Sequence, residues 1–151
     1  MKYSDFYNYL ALKVEQYNLK HSNRVFIGPS ISIKVGEHHS IAFPDIPDER
    51  LYSTFRFVVF PIKIYSGKVR HLNILLWDRK TKIIERYEPF GRYLNFHQIN
   101  GLVEALLYKL MEQKKIYFLK YTTSTNNKEI LNDKNCGLYC ITYMIQKINK
   151  F

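Results

Sequence analysis

Three positions in this sequence carry side chains that together could perform nucleophilic chemistry. His71 lies in an apolar, β-like stretch, Glu88 follows 17 residues later, and Cys136 lies where a polar segment meets an apolar helix. A thiol at a helix N-terminus ionises readily, because the N–H groups there carry about half a positive charge, and a neighbouring imidazolium helps further. The adjacent amides can hold an oxyanion, and Gly137 leaves room for a substrate backbone. These residues predict a Cys-His-Glu triad.

The predicted hairpin around the histidine and the glutamate explains how they would meet. Its strands span residues 69–77 and 82–88, with polar, turn-forming residues between them. If Asp78 pairs with Thr81, the histidine lies directly opposite the glutamate, on the same face and with Cβ atoms about 4.5–5.5 Å apart. The carboxylate would then hold one imidazole nitrogen and leave the other to act as a base.

Each of these residues also has an ordinary structural interpretation. A strand histidine beside a glutamate is usually a structural pair, and a cysteine at the start of an apolar helix is more often a small core residue. Cys140, one helical turn further on, is expected to pack in the core. A zinc site at Cys136 and Cys140 would need two more ligands, and the adjacent His38 and His39 lack the required spacing. We therefore expect no metal.

Hydrophobic periodicity predicts the elements that position the triad. A first helix is expected to begin with Ser4 as its cap and to end between residues 18 and 23. Pro61 is expected to place part of the first long strand at an edge or a bulge. The other elements are strands at 54–65, 69–77, 82–88 and 115–121, a helix capped by Asn95, a polar loop at 122–135 and a buried final helix from Cys136. This order predicts an α+β domain whose central, cysteine-bearing helix packs against a mostly antiparallel sheet.

Length and composition are typical of a globular protein with one domain. The chain has 151 residues, of which 46% are hydrophobic and 16% aromatic, and this is too apolar for a disordered chain. No apolar run approaches the roughly 18 residues of a membrane span, and no signal peptide is expected. Two cysteines four positions apart on one helix favour free thiols and a reducing compartment. The net charge of +10 is consistent with a polyanionic partner.

Three motifs resemble the adenain family of viral maturation proteases, within the wider clan of ubiquitin-like-protein proteases. They are HLNILLWD at residues 71–78, ERYEPFG at 85–91 and NCGLYC at 135–140, with the family's 17-residue spacing from histidine to glutamate. The resemblance implies Cys136 as nucleophile, His71 as general base and acid, and Glu88 as the orienting carboxylate. Asn73, on the same strand face as the histidine, is expected to support the triad without reacting.

The resemblance covers roughly residues 55–148. It implies a papain-like, adenain-like cysteine protease fold. On this basis residues 1–151 are expected to form a single protease domain, with an N-terminal helix at 1–23 and a catalytic core at 54–148.

The sequence departs from the family in two places. Leu72 follows the histidine where the family usually has a tryptophan. The family also has a glutamine six or seven residues before the cysteine, which completes the oxyanion hole, but here those positions are Ile130 and Glu129. Loss of one such donor typically costs about 10²–10³ in rate. Three asparagines are candidate replacements: Asn132, Asn126 and Asn127.

The family resemblance implies a viral thiol endopeptidase that cleaves capsid or core precursors at glycine-containing sites. Ubiquitin-like conjugates, and hence deubiquitinase-like or deSUMOylase-like activity, are the other implied substrate class. The implied setting is the reducing interior of the virion and the infected cell, without membrane binding and without a cofactor other than DNA or a peptide as activator. Two alternatives stay open: a catalytically impaired homologue that acts as a capsid-associated or nucleic-acid-binding module, and acyl transfer to a hydroxyl or amine by the same triad.

Overall fold

A computed structural model of the chain describes residues 2–22, 24–36, 38–43, 49–91, 96–125 and 135–151. In chain order the elements are α1 (Tyr3–Lys20), β1 (Val25–Ile27), β2 (Ile31–Val35), β3 (Ser40–Ala42), a short 3-10 helix (Glu49–Tyr52), β4 (Phe57–Ser66), β5 (Val69–Asp78), β6 (Ile83–Glu88), α2 (Phe96–Glu112), β7 (Lys120–Thr125) and α3 (Cys136–Ile148). Among the described residues, no helix combines the length and the apolar character that crossing a membrane requires.

Seven strands form one mixed sheet in the order β3-β2-β4-β5-β6-β7, and β1 pairs beside β2 along the same edge of β4. The three central strands, β4 to β6, pair antiparallel because short turns connect them. Gly67, with φ 59°, lies in the two-residue turn between β4 and β5 and supplies the left-handed conformation that this turn needs. β1 and β2 pair parallel with β4, and β7 pairs parallel with β6 after the α2 crossover. The predicted α+β class is confirmed.

Helices cover both faces of this sheet, because strand side chains alternate between its faces. One core lies under α2 and includes Val58, Phe60, Ile62, Trp77, Ile84, Ile99, Val103 and Leu107. The other core lies under α1 and α3 and includes Phe6, Leu10, Phe57, Val59, Ile74, Cys140, Ile141 and Met144. Burial of each large apolar side chain contributes about 1.5–3 kcal/mol. The second core therefore fixes α3, which begins at Cys136, against β5.

Two predicted element boundaries change in the structure. α1 begins at Tyr3 with Lys2 as its N-cap and no side-chain capping bond, so the prediction of Ser4 as the cap is wrong. The fourth predicted strand, at 115–121, is displaced to Lys120–Thr125, into residues expected to form a loop. Ile116 and Phe118 are buried in the core under α2, and their spacing of two residues is that of a strand. They do not pair with any strand, so the sequence pattern was misleading here. Asn95, the predicted cap of α2, lies outside the described residues.

Pro61 lies in an interior strand, so its predicted edge position is wrong, but the pairing of β4 is interrupted beside it on one of its two sides. Its strand pairs with β5 without a break, and Pro61 itself lies opposite Ile74. On the other side of β4, the register shifts by one residue between β1, where Ile27 pairs with Val59, and β2. The Val59 carbonyl accepts the Gly28 N–H on that side, so by alternation the Pro61 nitrogen points to the same side. The Pro61 nitrogen carries no hydrogen, and it points to the gap between β1 and β2. No strand lies opposite it there, so the proline removes no hydrogen bond from the sheet.

Candidate active site

His71 and Glu88 meet at the end of the β5–β6 hairpin that is remote from its turn. The Nε2 atom of His71 lies 2.8 Å from both carboxylate oxygens of Glu88. Neither side chain is exposed to solvent. The structure thus brings these two predicted residues together in a fully buried contact.

The strand register behind this contact differs from the predicted one. Asp78 pairs with Ile83, which makes the turn four residues long instead of two. The register, continued to the end of β6, places Asn73 rather than His71 opposite Glu88. Since a shift of two residues keeps every side chain on its original face, the histidine still reaches the glutamate along a diagonal.

The longer turn is stabilised by Asp78. Its Oδ1 atom accepts the backbone N–H of Lys80 at 3.0 Å, as in an Asx turn. The N–H of Lys82 donates to the Asp78 carbonyl at 2.8 Å, and Lys82 adopts a left-handed φ of 62°. These bonds close a four-residue turn, so the direct opposition predicted from the sequence is wrong although the contact itself is present.

Three donors hold the buried carboxylate of Glu88. Besides the His71 imidazole, the Asn73 side-chain amide donates to Oε1 at 3.2 Å and the Phe90 backbone N–H donates to Oε2 at 3.0 Å. Pro89 ends the strand, and the following amide turns back onto the carboxylate. The Phe90 ring lies against the imidazole with ring centroids 5.3 Å apart. A buried carboxylate needs such partners to offset its lost hydration, and here they also restrain its orientation.

Cys136 is the first residue of α3 and is 4% exposed. The first backbone N–H groups of a helix have no partner within the helix, and Cys136 lies at this end of α3. The Cys136 thiol lies close enough to the His71 imidazole to influence its protonation, as Glu88 does. Burial alone would lower the pKa of His71, but the hydrogen bonds and negative charges of Cys136 and Glu88 raise it to about 9. The structure therefore brings all three residues of the predicted triad near one another, and the imidazole favours its protonated form.

Cys140 lies one turn deeper in the same helix and is fully buried. Its Sγ atom lies 3.5 Å from the Leu72 carbonyl oxygen, and burial raises the pKa of this thiol well above its usual value. Both cysteines are free thiols. The surroundings of Cys140 match the predicted core position.

A buried arginine that the sequence reasoning did not select adjoins these residues. Arg86 is fully buried and donates through Nη1 to Asn73 Oδ1, while the amide of the same asparagine donates to Glu88. Asn73 therefore contacts Glu88 of the predicted triad. The available signal for Arg86 was its place inside a strand, two residues before Glu88 and hence on the same face.

Part of the predicted oxyanion hole lies outside the described residues. Gly137 is buried at the second position of α3, next to Cys136. Residues 126–134 are not described, so the structure does not place the asparagine candidates or the positions where the family has its glutamine: Asn132, Asn126, Asn127, Ile130 and Glu129. Within the described ranges, no group of three or more His, Cys, Asp or Glu side chains could hold a metal ion.

No family model matches the chain. Over 103 residues it is 31% identical to the uncharacterized protein 082L of invertebrate iridescent virus 3, and the match covers 64% of this chain and 62% of the viral protein. The chain therefore has a viral homologue and corresponds to less than two thirds of that relative's length.

The fold also occurs in a protein of distant sequence. The effector protein RavZ of Legionella pneumophila superposes with a TM-score of 0.52 at 14% identity, over 85% of this chain and 44% of RavZ. The C-terminal protease domain of Ulp1, in complex with Smt3, the yeast ortholog of SUMO, gives a TM-score of 0.47 at 16% identity, over 65% of this chain and 43% of that chain. The likeness to RavZ shows a shared fold.

Proposed function

We propose that this protein is a thiol hydrolase that cleaves peptide bonds through Cys136, His71 and Glu88. The observation that carries the proposal is the solvent-shielded His71 imidazole, which binds the Glu88 carboxylate through Nε2 and lies near the Cys136 thiol. An acid–base group between a nucleophile and an orienting carboxylate is the arrangement of a catalytic triad. The motif resemblance to the adenain family, over roughly residues 55–148, supports the same assignment.

The proposed reaction begins with a proton transfer inside the triad. Because Glu88 engages Nε2 of His71, Nδ1 is the nitrogen that takes the thiol proton of Cys136. The resulting thiolate attacks the carbonyl carbon of the peptide bond. The oxyanion that forms is held by N–H groups at the start of α3, that of Gly137 among them.

The second half of the reaction returns the protons. The imidazolium of His71 donates its proton to the leaving amine as the C–N bond breaks, and a thioester with Cys136 remains. His71 then takes a proton from water, and the hydroxide attacks the thioester. The carboxylic acid product leaves and the thiol is restored, so no proton or electron is gained or lost over the cycle.

Capsid or core precursor proteins are the proposed substrates, cut at glycine-containing sites within virions or infected cells. The similarity to an iridescent-virus protein supports the viral setting. The low exposure of Cys136 supports glycine beside the scissile bond, because a substrate without a side chain there can approach a recessed thiol. Ubiquitin-like conjugates are the second proposed substrate class, on the motif resemblance alone.

A nucleic-acid-binding module is the second candidate function. The net charge of +10 favours it, and so does the absence of the family's glutamine. Binding of this kind would weaken steeply with added salt, because phosphate contacts release counterions. The two functions are compatible if DNA acts as an activator or a track for the protease.

The deciding experiment compares three chains on glycine-containing peptides and on co-expressed capsid protein from the same source. The wild type and Cys140→Ala are expected to cleave both, because Cys140 serves packing only. Cys136→Ala is expected to lose activity by about 10⁴ or more, since it removes the nucleophile. Equal processing by the wild type and Cys136→Ala would exclude the proposed hydrolase, and salt-sensitive DNA binding without cleavage would favour the second candidate.

A further inference from the structure

Arg86 is among the largest fully buried side chains of the described structure. Its guanidinium donates from Nε to Asn100 Oδ1 at 2.9 Å, from Nη2 to the Phe96 carbonyl at 3.3 Å and from Nη1 to Asn73 Oδ1. Among the described residues these acceptors are all neutral. A buried guanidinium is costly unless an anion balances it. The balancing charge for Arg86 must therefore lie beyond its direct hydrogen-bond partners.

Glu88 supplies this balancing charge, and Asn73 connects the two groups. The Asn73 amide accepts from Arg86 on its oxygen side and donates from its nitrogen to Glu88 Oε1 at 3.2 Å and to the Leu72 carbonyl at 2.8 Å. An amide has one accepting and one donating side, so a cation on one and an anion on the other fix its orientation. Asn73 thus transmits the field of a buried cation to the carboxylate that holds the catalytic imidazole.

Two further ionisable groups beside this network are neutral near pH 7. Tyr121 on β7 donates to the same Asn100 oxygen at 3.0 Å, and burial raises the pKa of this phenol to about 12. Cys140 on α3 has a pKa raised by burial as well. Among the described residues, the charged groups around the network are then Arg86, Glu88, the triad's thiol and imidazole, and the exposed carboxylate of Glu104 on α2, which lies near Tyr121.

We propose that Arg86 is a positioning residue of the active site proposed above. Through Asn73 it balances Glu88, so that a thiolate and an imidazolium can form at Cys136 and His71 without leaving a net charge in the buried site. Without Arg86, the same ionisation leaves one uncompensated negative charge. This inference rests on the proposed function for the role of the thiolate.

Two variants change the charge of the site in the same direction but change its hydrogen bonding differently. Arg86→Met removes the cation, whereas Asn73→Asp adds an anion but gives Arg86 a direct partner, so the second chain keeps its buried arginine paired. Both leave the ionised site one charge more negative than in the wild type. Arg86→Lys keeps the charge without the three-pronged bonding. Arg56→Met is the matched control, since it removes an arginine at the other end of the hairpin.

The readout is the ultraviolet absorbance of the thiolate as a function of pH, as a difference between each chain and the same chain with Cys136→Ala. Arg86→Met and Asn73→Asp are expected to move the pH of half-maximal thiolate up by about one unit. Arg86→Lys is expected to restore most of the wild-type profile, and Arg56→Met to leave it unchanged. A purely structural role for Arg86 would instead make Arg86→Lys behave like Arg86→Met, because lysine keeps the charge but cannot form the three-pronged bonding.

Failure of the proposed function and failure of this inference look different. A wild-type chain that forms thiolate only around the pH of a free thiol, about 8.5, has no activated nucleophile and contradicts the proposed function. A wild-type chain that forms thiolate at lower pH, with the same profile in Arg86→Met or in Asn73→Asp, overturns the role of Arg86 alone.

Discussion

The β5–β6 hairpin has a buried carboxylate at each end: Asp78 at the turn and Glu88 at the opposite end. The two carboxylates differ in the side chain that binds them. At the turn end, Arg56 binds Asp78 directly, with Nε–Oδ1 and Nη2–Oδ2 distances of 3.1 Å. At the other end, His71 binds Glu88 at 2.8 Å. The buried Arg86 is connected to this carboxylate through the side-chain amide of Asn73. One carboxylate therefore has a permanent cation as its partner, whereas the other has a group that can lose its proton.

The two contacts can therefore do different things: one can only stabilise the turn, whereas the other can also take part in proton transfer. Burial would raise the pKa of Asp78, but hydrogen bonds from Arg56 and from the Lys80 amide lower it below its usual value. The guanidinium keeps its proton at any ordinary pH, so this contact fastens the turn. His71 can release its proton near pH 9, so the contact with Glu88 can take part in proton transfer.

The largest expected effect comes from changing each carboxylate to its isosteric amide. Glu88→Gln should lower kcat/KM on a glycine-containing peptide by about 10⁴, because the amide no longer stabilises the imidazolium. Asp78→Asn should leave kcat/KM unchanged, since it acts only on the turn. Circular dichroism would verify that both chains are folded. Similar losses of rate in the two variants would contradict the proposal that only Glu88 takes part in catalysis.

A second effect is the pH dependence of the free energy of unfolding. The pKa of His71 is raised from 6.5 to about 9 in the folded chain, so its protonation stabilises the fold fully below pH 6.5. This stabilisation, about 3 kcal/mol, is lost as the pH rises through 9. Urea denaturation across this range should show a flatter profile for Glu88→Gln than for the wild type. Parallel profiles would mean that Glu88 does not set the protonation of the histidine.

A smaller effect is expected from Arg56→Met at the turn end. Loss of two charge-assisted hydrogen bonds should lower the free energy of unfolding by about 2 kcal/mol without lowering the cleavage rate. Because the pKa of Asp78 is lowered in the fold, its contribution is present above pH 3.8 and is lost as the pH falls through the folded value. Arg56→Met should therefore lose less stability on acidification than the wild type. A drop in cleavage rate would show that the two ends are coupled.

Hydrophobic pattern alone was sufficient for much of the fold. It predicted β5 and β6 to within one residue at each end, and it predicted α3 from Cys136, because apolar residues recur there at the spacing of a strand or a helix. It failed for β7, since Ile116 and Phe118 are buried alternately without strand pairing. Periodicity reports burial, and burial can follow from packing against a helix as well as from membership of a sheet.

The candidate site was only partly predictable for two physical reasons. Turns of two and of four residues leave the same alternation along β5 and β6, so nothing in the pattern revealed that Asp78 would bind the Lys80 amide and lengthen the turn. A charged residue in a strand is normally assigned to a solvent-facing position. The burial of Arg86 depends on Asn73 and on α2 groups that only the tertiary structure brings near.

The chain contains one tryptophan, and its location makes it a natural optical reporter. Trp77 is 1% exposed and packs edge-on against Tyr52, with ring centroids 5.7 Å apart. It lies on the same strand as His71 but six residues away, about 20 Å along an extended backbone. Its fluorescence will follow the loss of the core under α2 and is too distant to sense protonation of the imidazole directly. Unfolding can therefore be recorded without a label while the site is titrated independently.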